Sequence, residues 1–353
     1  MNRSLFLAVL GAAALFVACS GGESDPDGSA GTGGTGGAGG SGGSGGTGGG
    51  GGDEDVCTTV PLEDGPLTGW TPELPASFGA PVNSTPRDSA CAAENGWVSA
   101  IRGWVAAPGG APLAKAKAQA CIVAADSIFS CLAPVDVNAD GVFTIELRSD
   151  IHCLKRAAVR IWEPRTGRAT YYRPLDIQGD DPVIRLEEPA VLPFATPAVS
   201  LPPKGDKDAP RPVVFDDGLT LEVTPSLYWS GTGTYACFAG RRIPTDAVGL
   251  IPGSGDFDGV YAFFPEGEMV TPGEPGVGYP LTIPNPTDVP AGAAVELFVL
   301  GGLECHLLDG TLATEGYWEK FGEGTVSEDG ATITSNPDSG LPCLNWFAYR
   351  RKE

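Results

Sequence analysis

The chain has few of the groups that carry out most enzyme chemistry. Only two histidines occur in 353 residues, His152 and His306, each next to a cysteine, and there is no His-Glu-x-x-His pair. A helical zinc-protease site is therefore excluded. Outside a glycine repeat near the N-terminus no Gly-x-Ser-x-Gly occurs, and no Cys-x-x-Cys occurs anywhere. This removes the nucleophile elbow and the common zinc and dithiol motifs. Basic residues are scarce as well: 22 Lys and Arg stand against 44 Asp and Glu, a net charge of −22. Such a surface repels nucleic acid and anionic lipid, so no nucleic-acid partner is expected. The acidity serves solubility first, and recruitment of divalent cations is its second use. Long helical periodicity is missing, and after the N-terminal run no apolar stretch is long enough to cross a bilayer.

That N-terminal run follows one basic residue, Arg3, and extends from Leu5 to Val17, followed by Ala18-Cys19. It is too short for a spanning helix, and its shape is that of an export signal. The Ala18-Cys19 junction resembles a bacterial lipoprotein signal, although Phe16 stands where Leu or Val is usual. The resemblance implies cleavage after residue 18, a diacylglycerol on the sulfur of Cys19 and acylation of the new amine. Ser20, in place of Asp, implies sorting to the outer membrane, so the membrane is the first expected partner. Stable anchoring takes more than one acyl chain, and a triacylated cysteine exceeds that requirement.

Residues 19–55 follow as a leash. Sixteen of the 22 residues from Gly31 to Gly52 are glycine, and no proline or large apolar side chain interrupts them. Such a segment is a flexible coil, and 36 residues of it reach roughly 33 Å on average.

The remaining chain is rich in Pro, Gly, Val and Thr. Its apolar runs of four to eight residues are bounded by Gly, Pro and Asp-Gly, which reads as many short strands. The expectation is an all-β protein with two disulfide-stapled β-sandwich domains. The organisation expected is an extended Cys-containing segment at 56–95, one sandwich at 96–200, a Pro-rich connection at 201–212 and a second sandwich at 213–353. Strands are expected at Val98–Val105, Ala118–Val123, Val142–Leu147 and Ala157–Trp162. In the second half they fall at Leu219–Val223, Val260–Phe264, Leu281–Ile283, Val295–Leu300, Gly324–Val326 and Ala331–Thr334. Asp329-Gly330 joins the last two as a hairpin turn, a pair that tolerates φ > 0.

Besides Cys19 there are eight cysteines: Cys57, Cys91, Cys121, Cys131, Cys153, Cys237, Cys305 and Cys343. In an oxidising compartment, four disulfides are expected, with the pairing open among 105 connectivities. Five cysteines precede residue 200 and three follow, so full oxidation needs at least one bridge between the halves. Cys57 is a natural one to cross, and Cys121 and Cys131 are close enough to staple a hairpin.

Gly103-Trp104-Val105, Gly110-Ala111-Pro112-Leu113-Ala114-Lys115-Ala116 and Asp140-Gly141-Val142-Phe143 together resemble the carboxypeptidase regulatory-like (transthyretin-like) β-sandwich. The resemblance covers about 90 residues and implies an accessory or spacer module without catalysis. Phe264-Pro265-Glu266-Gly267 and Tyr279-Pro280-Leu281-Thr282-Ile283-Pro284 loosely resemble the ZU5-like sandwich of bacterial surface proteins.

Three groups of residues are candidates for chemistry. Asp136, Asn138 and Asp140, followed by Gly141, have the spacing of a calcium loop, in which alternate oxygens converge. The loop's twelfth position, where an EF-hand needs a carboxylate, is Leu147. The same residues also suit a polar lead-in to a hairpin, and calcium is the only cofactor the sequence suggests. Trp229 and Trp318, each beside a tyrosine, are candidate stacking faces for a glycan, against packing in the core or rim. Glu304 and His306 are the place for a dispersed hydrolase site. The expected function is a surface-tethered, non-enzymatic lipoprotein with a structural, adhesive or ligand-binding role, whose partner beyond the membrane is a glycan or an envelope protein. A calcium-dependent carbohydrate-binding module and a surface hydrolase are the alternatives.

Overall fold

Alternation of apolar and polar side chains decides where the strands lie, and the turns between them follow one chemical rule. A computed structural model describes residues 65–353 except 165–166, 194–197, 201–208, 216, 225, 230–236, 248–249, 252, 265, 267–268, 271–277 and 304. The signal, Cys19, the glycine leash, Cys57 and Glu304 lie outside the described residues. The chain is all-β, its sheets packed in a sandwich-like arrangement and stapled by disulfides.

In the first half, a six-stranded sheet has the Lys117–Ala124 and Cys153–Trp162 strands side by side, in register from Lys117 opposite Trp162 to Val123 opposite Arg156. A four-stranded sheet faces it, with Ala100–Ala106 paired to Val142–Glu146 on one side and to Val183–Arg185 and Ala190–Val191 on the other. Ile101, Val105, Ile122, Phe143, Ile145, Val159 and Ile161 fill the space between them. The segment before this sandwich carries one 3-10 turn, Ala76–Gly79. It is held by Arg102, whose guanidinium donates to the carbonyls of Phe78 (2.8 Å) and Ser77 and to Thr144 Oγ1 (2.8 Å).

The second half is built on one ten-stranded antiparallel sheet. The sheet curls onto itself. Leu221 and Ile283, near one edge, share a core with Tyr261, Leu297 and Phe347 from its middle, and the Phe215 ring meets Phe263 at 5.5 Å. Gly240 makes this approach possible, because a Cβ there would come within 2.8 Å of the Phe215 ring. Arg211 and Pro212, expected in the connection, belong to the edge strand Arg211–Val214. Proline suits that place because an edge strand leaves backbone donors unpaired.

Two of the Asp-Gly turns share one construction. The Asp329-Gly330 loop is not a two-residue turn with both residues at φ > 0: only Gly330 takes that value (φ 73). Its N–H donates to the Ser327 carbonyl at 2.9 Å, and Asp329 Oδ1 accepts from the Ala331 N–H at 3.0 Å. Asp309-Gly310 repeats the pattern, with Oδ1 accepting from the Thr311 N–H at 2.9 Å. The short side chain replaces a missing ladder partner and the glycine supplies the left-handed residue, which together make a type I turn with a bulge.

Among the described residues, three disulfides join Cys91 to Cys153, Cys121 to Cys131 and Cys305 to Cys343. Cys121 and Cys131 are direct cross-strand partners, the hairpin staple expected from their spacing. None of the three crosses residue 200. Of the other three cysteines, Cys237 heads the Cys237–Ile243 strand, and Cys19 and Cys57 lie outside the described residues.

Candidate functional site

Polar chemistry gathers at the contact between the two halves, in a groove beside Trp70, and in a larger open groove of about 1000 Å³ where Glu296 and Glu323 pair with Lys320, Arg350 and Lys352. The contact has an apolar floor. Leu67, Ala169 and Tyr172 from the first half pack with Ile243, Val260, Ala262, Leu300, Trp346 and Ala348 from the second. The Gly259–Phe264 strand is therefore buried on both faces, Tyr261 and Phe263 toward its own sandwich, Val260 and Ala262 toward the other half. Trp346 is 1% exposed, and its Nε1 donates to the Thr170 carbonyl across the contact. The Leu303 N–H donates to the Tyr172 hydroxyl at 3.0 Å, and Gly316 lies against Ala158 and Pro174.

A charged cluster lies beside this floor. Arg160 projects from the outer face of the Cys153–Trp162 strand, with its guanidinium over the Trp162 ring at 4.2 Å. Its Nε reaches Glu266 Oε1 and Oε2 at 3.1 and 3.0 Å, and its Nη2 reaches Oε2 at 2.6 Å. Its Nη1 donates to Gln119 Oε1 at 3.1 Å. The two side chains are 12% and 5% exposed. A forked pair so shielded is held in one geometry, unlike an exposed ion pair. The second carboxyl, Glu315, is 7% exposed, and its Oε2 has no hydrogen-bond partner. Burial first, then the negative charge of Glu266, raises its pKa to about 7, against the pull of Arg160.

The groove beside Trp70 has a volume of about 600 Å³ and is lined by Leu67, Trp70, Tyr171, Arg173, Glu188 and Leu250, among others. Trp70 is partly buried against Phe78, Trp104 and Val142, and its Nε1 donates to the Leu67 carbonyl at 3.3 Å. Gly110 leaves room for the ring, since a Cβ there would come within 3.1 Å of it. Arg173 Nη1 lies 3.3 Å from Glu188 Oε2 at the groove wall. Ligand sites share an aromatic and apolar lining with a few polar groups, and this groove has both.

Of the candidates singled out by sequence, Trp318 packs against the edge of the contact floor, and Asp136, Asn138 and Asp140 line none of these places. Asn138 Oδ1 accepts from the N–H groups of Asp140 (3.0 Å) and Val142 (2.8 Å), while Asp136 pairs with Lys117. Two of the three calcium-loop side chains are thus engaged in turn and strand contacts. Trp318 packs edge-on against Phe257 at 4.9 Å and lies beside Gly253, so one part of its ring is covered. Trp229 pairs with Met269 in a two-stranded ribbon, and its side chain is outside the described residues. His306 Nδ1 is 3.3 Å from the Gly310 carbonyl within its own turn, and its proposed companion Glu304 is outside the described residues. His152 is buried, with Nε2 2.9 Å from the Leu147 carbonyl and the ring edge-on to Trp97.

Sequence reasoning passed over Arg160, Glu266, Glu315 and Trp70. A signal existed only for Trp70, which lies in a Gly-Trp-Thr-Pro segment, where a large ring is flanked by turn residues. The class this defines is an all-β, disulfide-bonded protein of sandwiched sheets. Comparison with protein-family models, with curated proteins and with solved structures gives no match for this chain.

Proposed function

We propose that the protein is a non-enzymatic envelope lipoprotein, held to the outer membrane by acyl groups on Cys19. A glycine leash would carry a rigid body that serves structure, adhesion or ligand capture. The observation that carries this reading is the filled contact between the halves. Enzymes that close two domains around a substrate work through an open cleft and a hinge. Here that place is occupied by Trp346, Tyr172, Gly302 and the Arg160–Glu266 pair, which suits a body that transmits position rather than one that opens and shuts. Growth with an alkynyl palmitate followed by fractionation tests the tether. Label in the membrane fraction is expected for the full chain, and Cys19→Ser should lose both label and membrane association. Unlabelled, freely released wild-type protein would refute it.

The Trp70 groove favours ligand capture among these roles, with a neutral oligosaccharide as the ligand. A tryptophan ring offers a flat apolar face, and the Arg173–Glu188 pair offers donors and acceptors to hydroxyl groups. Titration with neutral hexasaccharides should change the intrinsic fluorescence of the wild type at saturating concentration and leave Trp70→Ala unchanged. An equal response in both proteins removes the groove as the site.

A further inference from the structure

Glu315 is a polar group that the fold has buried without giving it a partner. It lies in the Thr314–Tyr317 turn at the foot of the 301–317 segment, whose tip is the Asp309-Gly310 turn, and this foot is one of the places where the second half lies against the first. Gly316, the next residue, fits so closely that a Cβ would come within 3.3 Å of Ala158 and of Pro174. Its carboxylate and the sulfurs of Cys121 and Cys131 lie within 4.8 Å of one another, so it faces the staple of the opposing sheet. The charged groups acting on it are Glu266, which repels its ionised form, and Arg160, which attracts it but is already held by both oxygens of Glu266. The strands Lys117–Ala124 and Phe129–Cys131 present to it the disulfide, which does not titrate. The Tyr172 hydroxyl accepts from the Leu303 N–H at 3.0 Å.

We infer that Glu315 is a proton-operated latch between the two halves. Carrying a proton, it is an uncharged filler, and the 301–317 segment stays seated on the first sandwich. Losing the proton places a second carboxylate beside Glu266 with one guanidinium for both. The segment then gains by lifting Glu315 into water. Burial raises the pKa of this group to about 7, so the change falls in the range a cell surface meets. The sign follows from linkage. A carboxyl whose folded-state pKa lies above its ordinary value adds stability that is complete below that ordinary value and lost as the pH rises through the raised one. The latch is closed in mild acid and open in mild alkali.

Hydrogen exchange on the full chain between pH 5.5 and 8.5, corrected for the intrinsic rate of each amide, tests this. Protection within 301–317 should fall by about tenfold more than in the Ala100–Ala106 strand as the pH rises. In Glu315→Gln it should stay level. The proposal is overturned if wild-type protection in the segment does not depend on pH, or if the glutamine variant follows the same curve. Should that variant fail to fold, Glu266→Gln serves in its place. Removing the repelling charge should move the midpoint of the wild-type curve to lower pH by about one unit. An unmoved midpoint contradicts the latch.

Discussion

Arg160→Ala is expected to destabilise the body by about 3–5 kcal/mol, read from urea unfolding at pH 7.5. The size comes from what is left behind rather than from the bond that is lost. Glu266 would remain a carboxylate with a 5% exposed side chain, beside a second buried carboxyl, with no cation to offset either. One of its oxygens would keep the Leu303 N–H at 3.3 Å, which is too weak to replace a forked guanidinium. The same reasoning fixes the control. Replacing both partners by apolar residues of similar volume, as in Arg160→Met with Glu266→Leu, removes the stranded charge and should recover most of the loss. At pH 5 the single variant should lose less than at pH 7.5, because Glu315 then carries its proton and adds no second charge. A single variant within 1 kcal/mol of the wild type at both values would mean that this pair is open to water.

Trp346→Ala is expected to cost about 3–5 kcal/mol as well, by a different route. The indole is among the largest fully buried side chains and fills the space between Tyr172, Leu300, Ile243 and Ala348. Truncation leaves a cavity at the contact and deprives the Thr170 carbonyl of its donor. Trp346→Phe separates the two effects. It keeps most of the packing and loses the hydrogen bond, so it should cost about 1–3 kcal/mol, the penalty of one unsatisfied buried acceptor. Both substitutions act where the halves meet, so they should loosen the halves from each other before they unfold either one.

Much of the fold was legible in the sequence because strands with one wet face betray themselves. Thr220–Val223 and Leu281–Pro284 alternate, and the structure places them within one residue of the expected spans. Phe347–Arg351, a central strand of the large sheet, was not legible. Phe347, Ala348 and Tyr349 are all buried, so the strand has no period of two to find. Cys237–Ile243 was hidden for the opposite reason: Gly240-Arg241-Arg242 looks like a polar turn, although the glycine is there to admit Phe215. At the calcium-like spacing of Asp136, Asn138 and Asp140, Asn138 caps its own turn, as Asp309 and Asp329 do in theirs, and Asp136 pairs with Lys117. The cluster at the contact left no trace in sequence. Residues 160, 266 and 315 are distant along the chain, and one more pair of carboxylates says nothing in a protein with 44 of them.

The account depends on the two sandwiches behaving as one body joined by a filled contact. Scanning calorimetry of the full chain, beside Trp346→Ala, asks this directly. The wild type should melt in a single transition whose calorimetric and van't Hoff enthalpies agree, and the variant should separate into two. Two resolved transitions in the wild type, unaffected by the substitution, would show that the halves fold independently and that the contact holds nothing together.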